Sequence, residues 1–501
     1  MGQNKQKIRK NLVSGIIYQV VLIAISFILP RLYLENFGSA VNGVLSTIKQ
    51  IFAYMCLLEA GVGLATTQAL YKPIAENDRE KASSILSATS RYYFKTGLVY
   101  AAVVLIIAAV YSFAVPTGIN SAVVFTIVIL NALPSLFSYF IQAKYRILME
   151  VDGRKYIINN SETLLQLFSN IGKVLVLLLT DSLILIQLVY CILALIQLTY
   201  LYTYAKRHYK WLDLKAKPDF AAISQKKSVL VHQISAMVFN NTDIILLSFM
   251  CGFKTVSIYT IYNIFFSQVQ TFITNLVSGF GFALGQMFHS DKKKFDSYYR
   301  CYETLFIMCS FIIYTLMAVF LLPLIQIYTS GIDDADYTNP TLLFLFSVMN
   351  ILCCVKLPSN HVLEFSGMFK ETRSHAVIEM TLNIAVSVLA IIKFGICGAI
   401  AGTITALIYR GGVMIYYANK KVLGRRVGQT YRLLIANGAV FAAVMALMYV
   451  DSFSGMSFGK LVLNGIIHSL WISGLYIAAN FLVQRKAFST FIGMCRARER
   501  S

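Results

Sequence analysis

About fourteen apolar stretches of roughly 18–25 residues, each set off by a short polar or basic connection, constrain this chain more than any other feature. A helix rises about 1.5 Å per residue, so each stretch is long enough to cross a hydrocarbon core about 30 Å thick. With no water at that depth, the backbone must satisfy its own hydrogen bonds, and a continuous apolar segment does so as a helix. The windows fall at 12–34, 41–70, 86–114, 121–142, 158–180, 182–205, 228–251, 255–288, 301–328, 340–365, 375–394, 396–418, 430–450 and 459–484. The second and eighth are long enough to tilt or to run beyond the bilayer. The expected fold is an all-α integral membrane protein of about 14 transmembrane helices. Composition agrees: 13% of residues are charged, against about 25% in soluble domains.

The formal charge of +21 would suggest nucleic acid in a soluble protein. Here its distribution argues otherwise, and no nucleic-acid partner is expected. Alternate connections (5–10, 72–95, 144–155, 206–227, 292–300, 370–373, 420–432 and 485–500) hold about 36 of the 44 Lys and Arg residues. The opposite connections are short: 115–120, Thr180-Asp181 and the acidic 330–339. By the positive-inside rule the basic set is cytoplasmic, which puts both termini in the cytoplasm. The alternation persists through every span, whereas one missed helix would have inverted it. The basic start, 1–10, resembles a signal peptide, but no small-residue cleavage site follows, so it reads as a tail before a retained helix. The nine cysteines form no C-x-x-C pair and lie mostly in apolar spans, as small core residues do. No cofactor is called for.

Two pairs of segments match at an offset of about 214 residues. Segment 31–46 lies over 246–259, aligning Gly38 with Gly252 as a turn before a long even-numbered span. Segment 76–81 lies over 289–294, both basic loops leading into Tyr-rich stretches. A third match, Leu133-Pro134-Ser135 with Leu357-Pro358-Ser359, differs in offset by about ten and is set aside. The repeat predicts two parallel lobes: an N-terminal lobe over 1–205 (spans 1–6) and a C-terminal lobe over 228–420 (spans 7–12). The basic segment 206–227 links them, and 421–501 adds spans 13–14 and a tail. Substrate sites of repeat-built transporters lie near the midplane between repeats.

Several of these segments resemble polysaccharide repeat-unit flippases of the multidrug/oligosaccharidyl-lipid/polysaccharide exporter superfamily. The opening run from Asn11 through Leu29-Pro30-Arg31 to Gly38 is similar to the family's first span. Leu57-Leu58-Glu59-Ala60-Gly61-Val62-Gly63 is similar to its second span. Asn240-Asn241-Thr242-Asp243 before Gly252, with Val256-Ser257-Ile258-Tyr259, looks like its seventh-to-eighth turn. The likeness covers spans 1–10 and fades toward the C-terminus. It implies two six-helix bundles forming a V, open alternately to either side of a bacterial cytoplasmic membrane. The cargo it implies is a polyprenyl-pyrophosphate-linked oligosaccharide, flipped to the outer leaflet for surface polysaccharide assembly beside polymerase machinery. A multidrug exporter or a cell-wall lipid precursor flippase of the same fold is the alternative. A membrane polymerase or glycosyltransferase is disfavoured, because no outer loop exceeds about a dozen residues.

Charge inside a span costs about 2.5–3.5 kcal/mol on insertion scales and normally faces a cavity or a partner. The interior charges are Lys49, Glu59, Lys173, Asp243, Lys356 and Glu379, with Arg31 closing span 1. By helical rise Lys49 lies about 10 Å below the outer surface and Lys173 about 20 Å above the inner one. Arg31, Lys49, Lys173 and Lys356 are candidates for a cationic cavity that takes an anionic headgroup; the competing role is snorkelling. Glu59, Asn240, Asn241, Asp243 and Glu379 are candidates for ion coupling or inter-helix hydrogen bonding. His232 and His361 read as satisfied polar residues. Asp334-Ala335-Asp336 matches a glycosyltransferase D-x-D but sits in a loop too small for a nucleotide site.

Overall fold

The computed structural model describes residues 2–55, 62–113, 118–223, 227–290, 292–448 and 458–490, and among these each expected window falls on helix, to within a residue at its ends. Helix α1 (Gly2–Met55) carries the first span and the start of the second, and α2 (Val62–Ala75) continues the second. There follow α3 (Arg79–Phe113), α4 (Ser121–Val151), α5 (Lys155–Leu179), α6 (Leu183–His208) and α7 (Lys227–Met250). Then come α8 (Phe253–Ser290), α9 (Lys292–Tyr328), α10 (Pro340–Phe365), α11 (Phe369–Phe394), α12 (Ile396–Leu423), α13 (Gly428–Met448) and α14 (Phe458–Val483). Among the described residues, 10 helices are long and apolar enough to cross a membrane. The protein is a multi-pass, all-helical membrane protein.

Glycine and proline explain the breaks. Gly38 has φ 77° and divides α1 into two arms; Gly252 has φ 85° and separates α7 from α8. A side chain is strained at such φ, so only glycine turns the chain there without cost. These are the two positions that the repeat aligns, each just before a long helix. In α4, Pro134 supplies no N–H, and the helix widens to a π turn over Ser138–Gln142. A second π turn, Tyr417–Leu423, ends α12 at the left-handed Gly424.

The chain packs as two units, Met1–Ser257 and Ile258–Ser501. In the first, α7 lies against the second arm of α1, and so packs with the helices before it. The segment expected to link two lobes runs over the start of α3. There Ser84 Oγ donates to the Lys217 carbonyl (2.5 Å) and Ser87 Oγ to that of Leu214 (3.0 Å). Ser83 Oγ accepts from the Asp213 N–H at 3.2 Å. Three serines on one face thus satisfy linker backbone groups that would otherwise need water.

In the second unit α11 and α12 run antiparallel at backbone contact. A Cβ on Gly398 would lie 2.3 Å from the Ala390 carbonyl, and one on Gly402 would lie 2.1 Å from Ser387 Oγ. This is the small-xxx-small spacing that lets membrane helices approach closely. Across the seam Asn383 Nδ2 donates to Thr403 Oγ1 at 2.8 Å.

Candidate functional site

Lys49 and Lys173 both lie in the first unit, within electrostatic range of one another. Local packing places them. On the second arm of α1, Gln50 and Tyr54 turn to α7 and Asn42 to the start of α8, while Lys49 is exposed. On α5, Gly172 lets Val189 of α6 approach so closely that a Cβ would sit 2.6 Å from its Cγ1. Beside that contact the Lys173 ammonium lies 5.0 Å from the Tyr190 ring centroid, a cation–π geometry. Neither lysine has a carboxylate partner among the described residues. Glu162, earlier on α5, is engaged by Arg146 of α4. Two like charges within electrostatic range and without a carboxylate partner repel one another, and an anion relieves that repulsion.

Arg31, the third cation expected there, is bridged to Glu35 at 2.7 Å one turn along its own helix. That i,i+4 spacing is readable in the sequence. Glu59 lies outside the described residues.

The polar run of α7 forms a seam with α1. Gln50 Nε2 donates to Asn241 Oδ1, and Asn241 Nδ2 donates to the Met237 carbonyl at 2.5 Å. The Tyr54 and Thr242 hydroxyls are 2.5 Å apart and share the Val238 carbonyl, at 3.1 and 2.6 Å. Asp243 is buried nearby, within electrostatic range of Tyr54. Asn42 Nδ2 donates to Ser257 Oγ at 2.7 Å, and a Cβ on Gly43 would overlap the Phe253 carbonyl oxygen at 1.9 Å. Asn240 is exposed.

In the second unit Lys356 and Glu379 meet, joined by Arg410, a residue that the sequence reading passed over. Lys356 Nζ donates to Glu379 Oε1 at 3.2 Å. Arg410 Nε approaches Oε2 at 3.2 Å without hydrogen-bond alignment, and Arg410 also donates to the Thr372 carbonyl at 3.1 Å. The side chains of Arg410 and Glu379 are 5% and 11% exposed. Two cations on one carboxylate leave a net positive charge. The α11–α12 glycine contact sets this geometry, since the same antiparallel pairing that puts Gly402 on Ser387 carries Arg410 to Glu379 two turns on. The available signal was an arginine in mid-window, Ile408-Tyr409-Arg410-Gly411.

Two clusters on the basic side are structural. Arg425 pairs with Glu303 at 2.5 Å, lies 4.9 Å from the Tyr299 ring centroid, and bonds Asn419. Burial works against its charge, but Glu303 and Tyr299 hold the guanidinium above its ordinary range. Thr430 completes the cluster by donating to Glu303 at 2.9 Å, which ties α13 to α9. In the first unit Asp152 takes hydrogen bonds from Arg154 (2.6 Å) and Tyr209 (3.0 Å). Burial and then Asp152 raise the Tyr209 hydroxyl well above its usual range, so it stays a donor. His361 meets the Tyr302 hydroxyl at 3.2 Å. Among the described residues no group of three or more His, Cys, Asp or Glu side chains converges as a metal site would.

No protein-family model and no curated protein sequence matches the chain. Solved structures do. A multidrug resistance MATE family transporter of the MOP superfamily, in an inward-facing conformation, aligns with a TM-score of 0.62 at 10% identity, over 82% of this chain and 98% of its own. The lipid II flippase MurJ, in an inward closed conformation, aligns with a TM-score of 0.60 at 14% identity, over 95% of this chain and 99% of its own. A MOP superfamily transporter from Pyrococcus furiosus aligns with a TM-score of 0.52 at 10% identity, over 84% and 97%. The chain has the fold of these transporters.

Proposed function

We propose that this chain is an alternating-access transporter that flips a polyprenyl-pyrophosphate-linked oligosaccharide from the inner to the outer leaflet of a bacterial cytoplasmic membrane. The observation that carries the reading is the Lys49–Lys173 pair: two cations on apolar helices, within electrostatic range of one another, with no carboxylate partner among the described residues. A pyrophosphate supplies the missing charge, and in a low-dielectric site two fixed ammonium groups bind it far more strongly than water would allow. Lys356 and Arg410 give a second cationic station, tempered by Glu379. A drug exporter that moves organic cations would be opposed by both. The sugar-bearing head crosses beside these groups while the polyprenyl tail stays in lipid, so the protein performs no bond chemistry. In this cycle the α1–α7 seam is a contact to be broken and remade, because its hydrogen bonds are few and exchangeable with water.

A second reading is favoured by one observation: MurJ aligns over nearly the whole of both chains, whereas the multidrug transporter leaves 18% of this chain unmatched. A cell-wall lipid precursor has the same pyrophosphate and the same polyprenyl tail, so the cation pair suits it equally. Expression in bacterial strains lacking either a polysaccharide flippase or the cell-wall precursor flippase separates the two. Restored surface polysaccharide alone supports the first reading, and restored viability supports the second. Rescue of neither, with protein present in the membrane, refutes both.

A further inference from the structure

The Lys356–Glu379–Arg410 cluster of the second unit sets two cations against one carboxylate, and it holds them in different ways. Arg410 is the fixed one. It donates to the Thr372 carbonyl at 3.1 Å and its side chain is 5% exposed. Thr372 lies two turns before Glu379 on α11, and the bond from Asn383 to Thr403 lies one turn after it; all four residues are buried. The guanidinium therefore sits in a closed polar seam between α11 and α12.

Lys356 is the loose one. It reaches Glu379 from α10 by a hydrogen bond of 3.2 Å, and its side chain is 20% exposed. The face of α10 that carries it is the open face. At the helical period Leu352 and Asn360 are half-buried and Glu364 is exposed, whereas Val355, Ser359 and Val362 on the other side are buried. An ammonium on a flexible four-carbon stem can leave along that face, while a guanidinium in a closed seam cannot. When Lys356 turns away, Glu379 keeps Arg410, and the buried remainder is a neutral pair. A carboxylate left with no cation at this depth would cost far more than one exchanged partner. Neutralising Glu379 needs one cation; the second makes the first releasable.

We propose that Lys356 is a releasable cation: Glu379 holds it until a phosphate of the incoming headgroup takes it, and Arg410 keeps Glu379 paired while it is away. A phosphate competes well with Glu379 because it offers several charged acceptor oxygens to one ammonium. Glu379 and Arg410 are positioning residues that act on the anion through Lys356. The identity of the headgroup rests on the transport reading, but the exchange of partners is testable with inorganic pyrophosphate alone.

The experiment follows acylation of Lys356 by an amine-reactive ester in the full chain in detergent micelles, read by peptide mass spectrometry as inorganic pyrophosphate is added. In wild type, pyrophosphate is expected to protect Lys356 while the exposed Lys393 continues to react. Glu379→Gln leaves no carboxylate to displace and should be half-protected at about tenfold lower pyrophosphate. Arg410→Met leaves Glu379 dependent on Lys356 and should need about tenfold more. Glu379→Gln combined with Arg410→Met should match Glu379→Gln alone, because Arg410 acts only through Glu379. The combined variant also removes the orphaned guanidinium, so it serves should Glu379→Gln alone fail to fold. An unprotected Lys356 in wild type would overturn the proposal. So would a combined variant that returns to the wild-type midpoint, as it would if Arg410 held the anion itself. Flipping of a labelled lipid by a protein whose Lys356 stays unprotected would overturn this inference and leave the transport reading standing.

Discussion

Replacing Glu379 by Gln removes the one carboxylate between Lys356 and Arg410 while keeping shape and volume. The cost falls unequally on the two cations. Lys356 is 20% exposed and can swing toward water or headgroups, whereas Arg410 is 5% exposed and fixed by the Thr372 carbonyl. Removing one partner of a buried pair costs about 3–5 kcal/mol, and the mobile lysine argues for the lower end, about 3 kcal/mol. Arg410→Met leaves Glu379 paired with Lys356 and loses charge-assisted contacts worth about 2 kcal/mol. If the effects were independent, the double variant would lose about 5 kcal/mol. The orphaned guanidinium is the expensive element, so Glu379→Gln with Arg410→Met should lose only about 2 kcal/mol, a coupling of about 3 kcal/mol. Reversible unfolding in mixed micelles, titrated with a denaturing detergent, measures all four proteins. Additivity to within about 0.5 kcal/mol would refute the argument that one carboxylate serves both cations.

Other elements make separate predictions. Gly43→Ala drives a Cβ into the Phe253 carbonyl, so it should cost about 1–3 kcal/mol and slow disulfide cross-linking between Asn42→Cys and Ser257→Cys. Asn437 and Asn480 exchange hydrogen bonds at 3.0 and 2.8 Å between α13 and α14, both fully buried. Either Asn→Leu change alone should cost about 1–2 kcal/mol and the pair together less, as read by the same unfolding assay. Tyr209 is held protonated in the folded chain, so its bond to Asp152 contributes fully below about pH 10, where the unfolded tyrosine is also neutral. The contribution falls as pH rises above that value. Protease cleavage within 209–223 should therefore accelerate above about pH 10 in wild type, and Tyr209→Phe should remove that dependence.

The spans were legible because lipid imposes one solution on the backbone. The run from Val123 to Leu130, interrupted only by Thr126, sits in the window expected over 121–142, and that window is helical throughout. Gly38 and Gly252 were legible as a pair, since positive φ demands glycine at matching turns. Lys49 and Lys173 were legible as cations within apolar windows, whereas their electrostatic proximity depends on how α1 and α5 pack. What failed to show were partners distant in sequence. Gln50 meets Asn241 and Lys356 meets Glu379 only through helix packing, which a single sequence does not encode locally. Arg410 was visible but masked by its apolar window, and its role depends on the Gly398 and Gly402 contacts that bring α12 onto α11. Arg31 was read for its charge alone, while Glu35 one turn away already answered it.

The most direct measurement of the central proposal is flipping itself. Proteoliposomes carrying a polyprenyl-pyrophosphate oligosaccharide labelled on the sugar are exposed to an impermeant quencher or glycan-cleaving enzyme, with wild-type protein and with Lys49→Ala and Lys173→Ala variants. The account predicts that wild type moves the labelled head across the bilayer and that each folded variant loses this activity. Equal flipping by wild type and both variants would contradict it.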